Sequence, residues 1–135
     1  MTQLSEFGFL YNNRRYLRVF RQRKIILFKK IQKVEINFYN KRAKKFFESI
    51  DKTLRPRVTK DFDFLEMRGN NLEMPYSKAL EGGLFEVRTI GANQIRFIYT
   101  FHKNQACILH AFVKKTEQIT KKDIDYARAQ LGLLR

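Results

Sequence analysis

The apolar run ILHAFV, Ile108 to Val113, ends in two adjacent cations, Lys114 and Lys115. Two arginines interrupt other apolar stretches, Arg88 in LFEVRTI and Arg96 in QIRFIYTF, and Lys78 lies in the segment before them. Cations placed this way bind phosphate oxygens and stabilise negative charge that develops on a phosphoryl group. His102, His110 and Tyr99 are nearby in sequence and are of the types that move protons or contact a substrate. Each has a plainer role open to it. Lysines at a strand end serve solubility, and a Glu86–Arg88 pair on one strand face is a surface ion pair worth little. His102, at a turn, is solvated. His110 shares the parity of Ile108 and Phe112 and reads as a core histidine. Tyr99 reads as core with a bonded hydroxyl. No His/Cys/Asp/Glu cluster has metal-ligand spacing, and no glycine-rich phosphate loop precedes a helix, so neither a metal nor a cofactor is expected.

The elements that must position these residues follow from periodicity. KVEINFY alternates Val34, Ile36 and Phe38 on one face, as a half-buried strand does. KRAKKFFESIDK puts Phe46, Phe47 and Ile50 on one side of a helix, with Lys41, Arg42, Lys44 and Lys45 mostly outside. TLRPRVTKDFDFLEM repeats Leu54, Val58, Phe62 and Leu65 at helical spacing, with Thr53 as expected cap and Pro56 in the first turn. RGNNLEMPYSKALEGG reads as a connection, broken by Gly69, Pro75 and Gly82-Gly83. Three strands follow, LFEVRTI, QIRFIYTF and ACILHAFV, separated by turns at Gly91-Ala92-Asn93 and at HKNQ, which makes an antiparallel meander. ITKKDIDYARAQL is a final helix, with Thr120 and Asp123 as a capping box and Ile119 and Ile124 as a hydrophobic staple. The expected fold is α+β: a small antiparallel-rich sheet with its helices on one face and the other face open and polar.

The chain has 135 residues and a formal net charge of +15. That excess points to a polyanionic partner such as nucleic acid, the ribosome, an anionic membrane or an acidic protein. With 44% hydrophobic residues a core is possible, and thirteen Phe and six Tyr supply much of its volume. The single cysteine, Cys107, excludes a disulfide within the chain, fits a reducing cytoplasm, and reads as a small buried hydrophobe. No apolar stretch reaches the ~18 residues of a membrane span. Two pieces are expected, a basic extension over residues 1–32 and a domain over 33–135. The extension has eight basic residues, from Arg14 to Lys30, and one acid, Glu6. Three readings of it stay open: an element laid along RNA, a disordered arm, or a segment not normally translated. No function is placed on Arg14 to Lys30.

The order of elements, with GLFEVRTIG (Gly83–Gly91), IRFIYTF (Ile95–Phe101), ILHAFVKKT (Ile108–Thr116) and the Thr120-capped helix, resembles the RelE/HigB superfamily of bacterial toxin–antitoxin toxins. Within it, the phage-protein-like branch of HigB-type toxins is the best match. The resemblance spans Lys33 to Leu134 and leaves the extension unmatched. It implies a small basic cytoplasmic protein that enters the ribosomal decoding site and cuts mRNA without a metal. The RNA 2′-hydroxyl attacks the adjacent phosphate, and a cognate antitoxin, expected to be of the helix-turn-helix type, holds the toxin inactive. No membrane partner is implied.

On this resemblance Arg96 matches the arginine that binds the scissile phosphate in an R-x-x-Y pattern. Lys115, at the strand end where RelE-type toxins place Lys-Arg, matches a transition-state stabiliser. Arg88 is expected on a phosphate, and both Arg96 and Lys115 are expected to be exposed. Lys114, Lys78, Tyr99 and His110 complete the set as candidate RNA contacts. The chain departs from the family in one respect: Leu84 and Glu86 stand where RelE-type toxins carry two lysines. Two other functions therefore stay open, a ParE-like inhibitor of DNA gyrase and a non-catalytic nucleic-acid-binding module.

Overall fold

Alternating apolar residues, more than any one contact, decide this fold, because a strand sorts successive side chains to opposite faces. A computed structural model describes residues 33–89 and 94–134. The basic extension over residues 1–32 and the turn expected at Gly91-Ala92-Asn93 lie outside the described residues. Five strands form one sheet, in the order β1-β5-β4-β3-β2. They are β1 (Glu35–Phe38), β2 (Ser77–Ala79), β3 (Phe85–Arg88), β4 (Ile95–His102) and β5 (Gln105–Val113). Among the described residues three α-helices accompany them, α1 (Lys41–Glu48), α2 (Arg55–Arg68) and α3 (Lys121–Leu131).

The meander β3-β4-β5 is antiparallel, as its short connections require. The β4–β5 reversal is a two-residue turn with Lys103 and Asn104 both at positive φ, the geometry that matches strand twist. β1 lies parallel to β5 at one edge, so the sheet is mixed. Opposite it, the segment read as a connection contributes β2, which pairs with β3. Only three residues of β2 pair, too few to produce a visible alternation in the sequence.

The expected one-sided packing is corrected. Val87, Phe97, Tyr99 and Ile108 bury against Ala43 and Ile50 around α1 and Val58, Phe62 and Leu65 of α2. Ile98 points to the other face and joins Leu84 and Leu109 under Ala127 of α3. Helices thus cover both faces. Ile98, Leu109 and Phe112 carried this signal: three large apolar residues on a face supposed to be wet. A β-bulge between Ile98 and Tyr99 lets β5 present both Leu109 and His110 near α3. The aromatic content does the expected work on the first face, where Phe62 meets Phe97 edge-on at 4.9 Å and stacks on Phe47 at 5.6 Å.

Helix ends follow local chemistry. Thr120 caps α3, accepting from the Asp123 N–H and donating to its carboxylate. Asn40 caps α1 in the same way through the Ala43 N–H. Thr53 does not cap α2. Its hydroxyl is donated to Asp51 instead, and Leu54 is the first flanking residue, with Pro56 in the first turn as expected. Cys107 is buried, and burial pushes its thiol pKa up.

Candidate functional site

Residues directly opposite in an antiparallel sheet share a face. The register therefore lays two rows across the α3 side of the sheet: Lys78–Glu86–Ile98–His110 and Arg88–Arg96–Phe112. α3 covers Ile98 and leaves the β2–β3 end of these rows open. There a cleft of about 610 Å³ is lined by Lys78, Glu86, Arg88, Lys114 and Arg128, with Ile119 and Ile124 forming an apolar wall. Glu81 and Glu117 stand at the same cleft and are both exposed.

Glu86 organises the basic side of the cleft. Its Oε2 lies 2.9 Å from Arg96 Nε and 3.7 Å from Arg88 Nε. The two arginines are direct cross-strand neighbours, an arrangement that repels unless a carboxylate stands between them. Arg96, expected to be exposed on a phosphate, is only 4% exposed and does not line the cleft. One terminal nitrogen donates to the Ile95 carbonyl and the other to Gln94 Oε1, while Nε touches Glu86 as an ion pair without a well-aligned hydrogen bond. Burial pushes the Arg96 pKa down. Glu86 pulls it back up, and Arg88 pushes it down further. Arg96 thus anchors Glu86, and Glu86 in turn holds Arg88.

Of these two arginines, Arg88 is the one that lines the cleft. Beyond Glu86, its Nη1 approaches the Met74 sulfur at 3.1 Å. A thioether is a weak acceptor, so a phosphate oxygen can replace it at little cost.

Of the two adjacent lysines, the structure brings Lys114 into the cleft and leaves Lys115 out of its lining. The Lys114 N–H donates to the Gln94 carbonyl, which extends the β4–β5 ladder by one step. Lys114 therefore keeps the parity of Phe112 and Arg96, and Lys115, one residue on, alternates away and is exposed.

Two other expected RNA contacts belong to the protein's own packing. Tyr99 is 1% exposed, shares a 2.8 Å hydroxyl contact with Ser77, and stacks on Phe85, while burial pushes its hydroxyl pKa up. His110 Nε2 lies 2.8 Å from Asp123 Oδ1, and its ring packs on Phe112 and Tyr126, tying β5 to α3 outside the cleft lining. His102, at the end of β4, is half-buried and likewise outside that lining.

Sequence reasoning missed Arg128. It lines the cleft, and its guanidinium lies beside Gly82, where a Cβ would meet Nη1 at 3.4 Å. Gly82 also has a positive φ, so glycine suits both the turn and the approach. The available signal was helical: Arg128 is four residues after Ile124, on the stripe that faces the cleft.

Among the described residues no helix is long and apolar enough to cross a membrane. What fold and site define together is a small basic α+β protein, with a cation-lined cleft between a sheet end and its C-terminal helix. The family model described as Phage derived protein Gp49-like (DUF891) matches residues 45–131, and the chain belongs to this family. The family falls within the RelE/HigB-like toxins, which implies an antitoxin partner. A comparison with curated proteins finds no match.

Proposed function

We propose that the protein is the toxin of a toxin–antitoxin pair and cuts mRNA on the ribosome. The observation that carries this reading is the convergence of Lys78, Arg88, Lys114 and Arg128 on one cleft from separate parts of the fold. In this reading an RNA phosphate lies against Arg88 and Lys114. The 2′-hydroxyl preceding it attacks phosphorus, the bond to the 5′-oxygen breaks, and a 2′,3′-cyclic phosphate and a 5′-hydroxyl result. The cleft cations stabilise the charge that gathers on the phosphoryl oxygens. The ribosome supplies much of the orientation of the strand. A helix-turn-helix antitoxin restrains the toxin in the cytoplasm, and the basic extension over residues 1–32 lies outside the catalytic domain.

Mapping 5′ ends of cellular mRNA after brief induction tests the reading. Cuts inside reading frames, lost on combining Arg88→Ala with Lys114→Ala, are expected. A second reading draws on Leu84 and Glu86, which stand where RelE-type toxins carry lysines. Leu84 is fully buried under α3 and Glu86 is committed to arginines. That departure favours a non-cleaving inhibitor of DNA gyrase, and DNA breaks without mRNA cuts would establish it in place of the first.

A further inference from the structure

A carboxylate in a phosphate-binding cleft needs a reason. Glu81 and Glu117 are exposed and can swing toward solvent, but Glu86 cannot. It is 2% exposed, fixed by Arg96 from behind and Arg88 from beside, and it faces Lys78 directly across the β2–β3 ladder. Stability accounts for it only as Arg96's partner, because the buried pair as a whole is replaceable by apolar residues of similar volume at little or no cost. Affinity does not require it either, since any phosphate held by Lys78 and Arg88 is repelled by the carboxylate between them.

We propose that Glu86 is a specificity-determining residue, a fixed negative charge that selects internal phosphodiesters over terminal phosphates. This rests on the reading of the cleft as a site for RNA phosphate. An internal phosphodiester carries one negative charge, whereas a terminal phosphate carries about −1.5 to −2 at neutral pH. Repulsion from Glu86 scales with that charge, so the doubly charged group is penalised twice as much in free energy. A cleft with four cations and no fixed anion would fill with free nucleotides and inorganic phosphate. A built-in repulsive element against the wrong ligand is a recurrent source of specificity. Arg96 locks the carboxylate in place, which keeps the repulsion from being relieved by a rotamer change.

The test compares two ligands at fixed ionic strength: a dinucleotide made uncleavable by a 2′-deoxy sugar, and a nucleoside 5′-monophosphate of the same base. Affinities are measured for the wild type, Glu86→Gln and Glu86→Asp. Removing the charge is expected to tighten the diester about three-fold, on the order of a unit charge acting across several ångströms in a partly solvated site. The monophosphate is then expected to tighten by about the square of that factor, roughly ten-fold, because its charge is doubled. Glu86→Asp keeps the wild-type ratio. Equal gains for the two ligands, or weaker binding of both, overturn the proposal and leave the cleft reading standing. A wild type that binds neither ligand overturns the cleft reading itself, and the filter with it. Should Glu86→Gln fail to fold around the unpaired Arg96, the double variant Glu86→Gln with Arg96→Gln is compared with Arg96→Gln alone, so that only the Glu86 charge differs.

Discussion

Arg96 Nε stands 2.9 Å from Glu86 Oε2, and both side chains are buried. This pair turns the most suggestive arginine of the sequence into a support for its neighbour. Removing one partner of a buried pair leaves the other charge without compensation. Arg96→Ala is therefore expected to destabilise the fold by about 3–5 kcal/mol. Arg88, at the cleft surface, should tolerate alanine within about 0.5 kcal/mol and lose RNA binding instead. Denaturant titration of the two variants separates the roles, and equal stabilities would show that Arg96 is not an anchor.

Lys114 and Lys115 differ by one residue and one strand face. Losing a group that stabilises transition-state charge costs on the order of a hundred-fold in rate. Lys114→Ala is expected to show a loss of that size in kcat/KM for RNA cleavage, and Lys115→Ala no more than about three-fold, the scale of a distant screened charge. Reversal of that order would return the catalytic role to the exposed lysine.

Why one lysine and not the other was legible in principle. Parity counted from Phe112 already sorts Lys114 with Arg96, and what was missing was evidence that the ladder continues past Val113, which the Gln94 carbonyl supplies. The meander, the α3 cap and the two long apolar helix faces were readable because each repeats a local period over several residues. β2 was not, since three residues show no period, and its pairing depends on β3. The placement of α3 could have been inferred from Ile98 and Leu109, which need cover. The burial of Arg96 could not, because it depends on Glu86 arriving from another strand.

Asp61 makes stability depend on pH. It is 7% exposed in α2, and burial raises its carboxyl pKa above the ordinary 3.8. The neighbouring Thr89 hydroxyl, though outside hydrogen-bond geometry, and then Lys60 pull it part of the way back. The folded state therefore holds its proton to higher pH than the unfolded chain does. The contribution is fully present below the unfolded value and is lost as pH rises through the folded one. Asp61→Asn is expected to raise Tm at pH 7, with the difference from wild type vanishing below about pH 4, near the unfolded value of a carboxyl. A variant less stable at pH 7 than wild type would mean that the charged carboxylate is favoured where it sits.

The basic extension is expected to add to RNA binding and not to the chemistry. Each phosphate that a cation neutralises on a single strand adds about 0.7 to the slope of log K against log salt. Residues 1–32 carry eight cations and one acid, whereas every residue lining the cleft lies beyond Ser77. A chain starting at Ile31, with an added Met, is expected to keep its mRNA cleavage pattern. Its binding to bulk RNA should weaken and become less steep in salt, by a slope that counts the phosphates the extension had engaged. Unchanged binding and slope would mean that the extension's cations do not meet RNA. Lost cleavage in a truncated chain that still melts cooperatively would move the functional boundary into the extension, since the cleft's own cations would then be intact and insufficient.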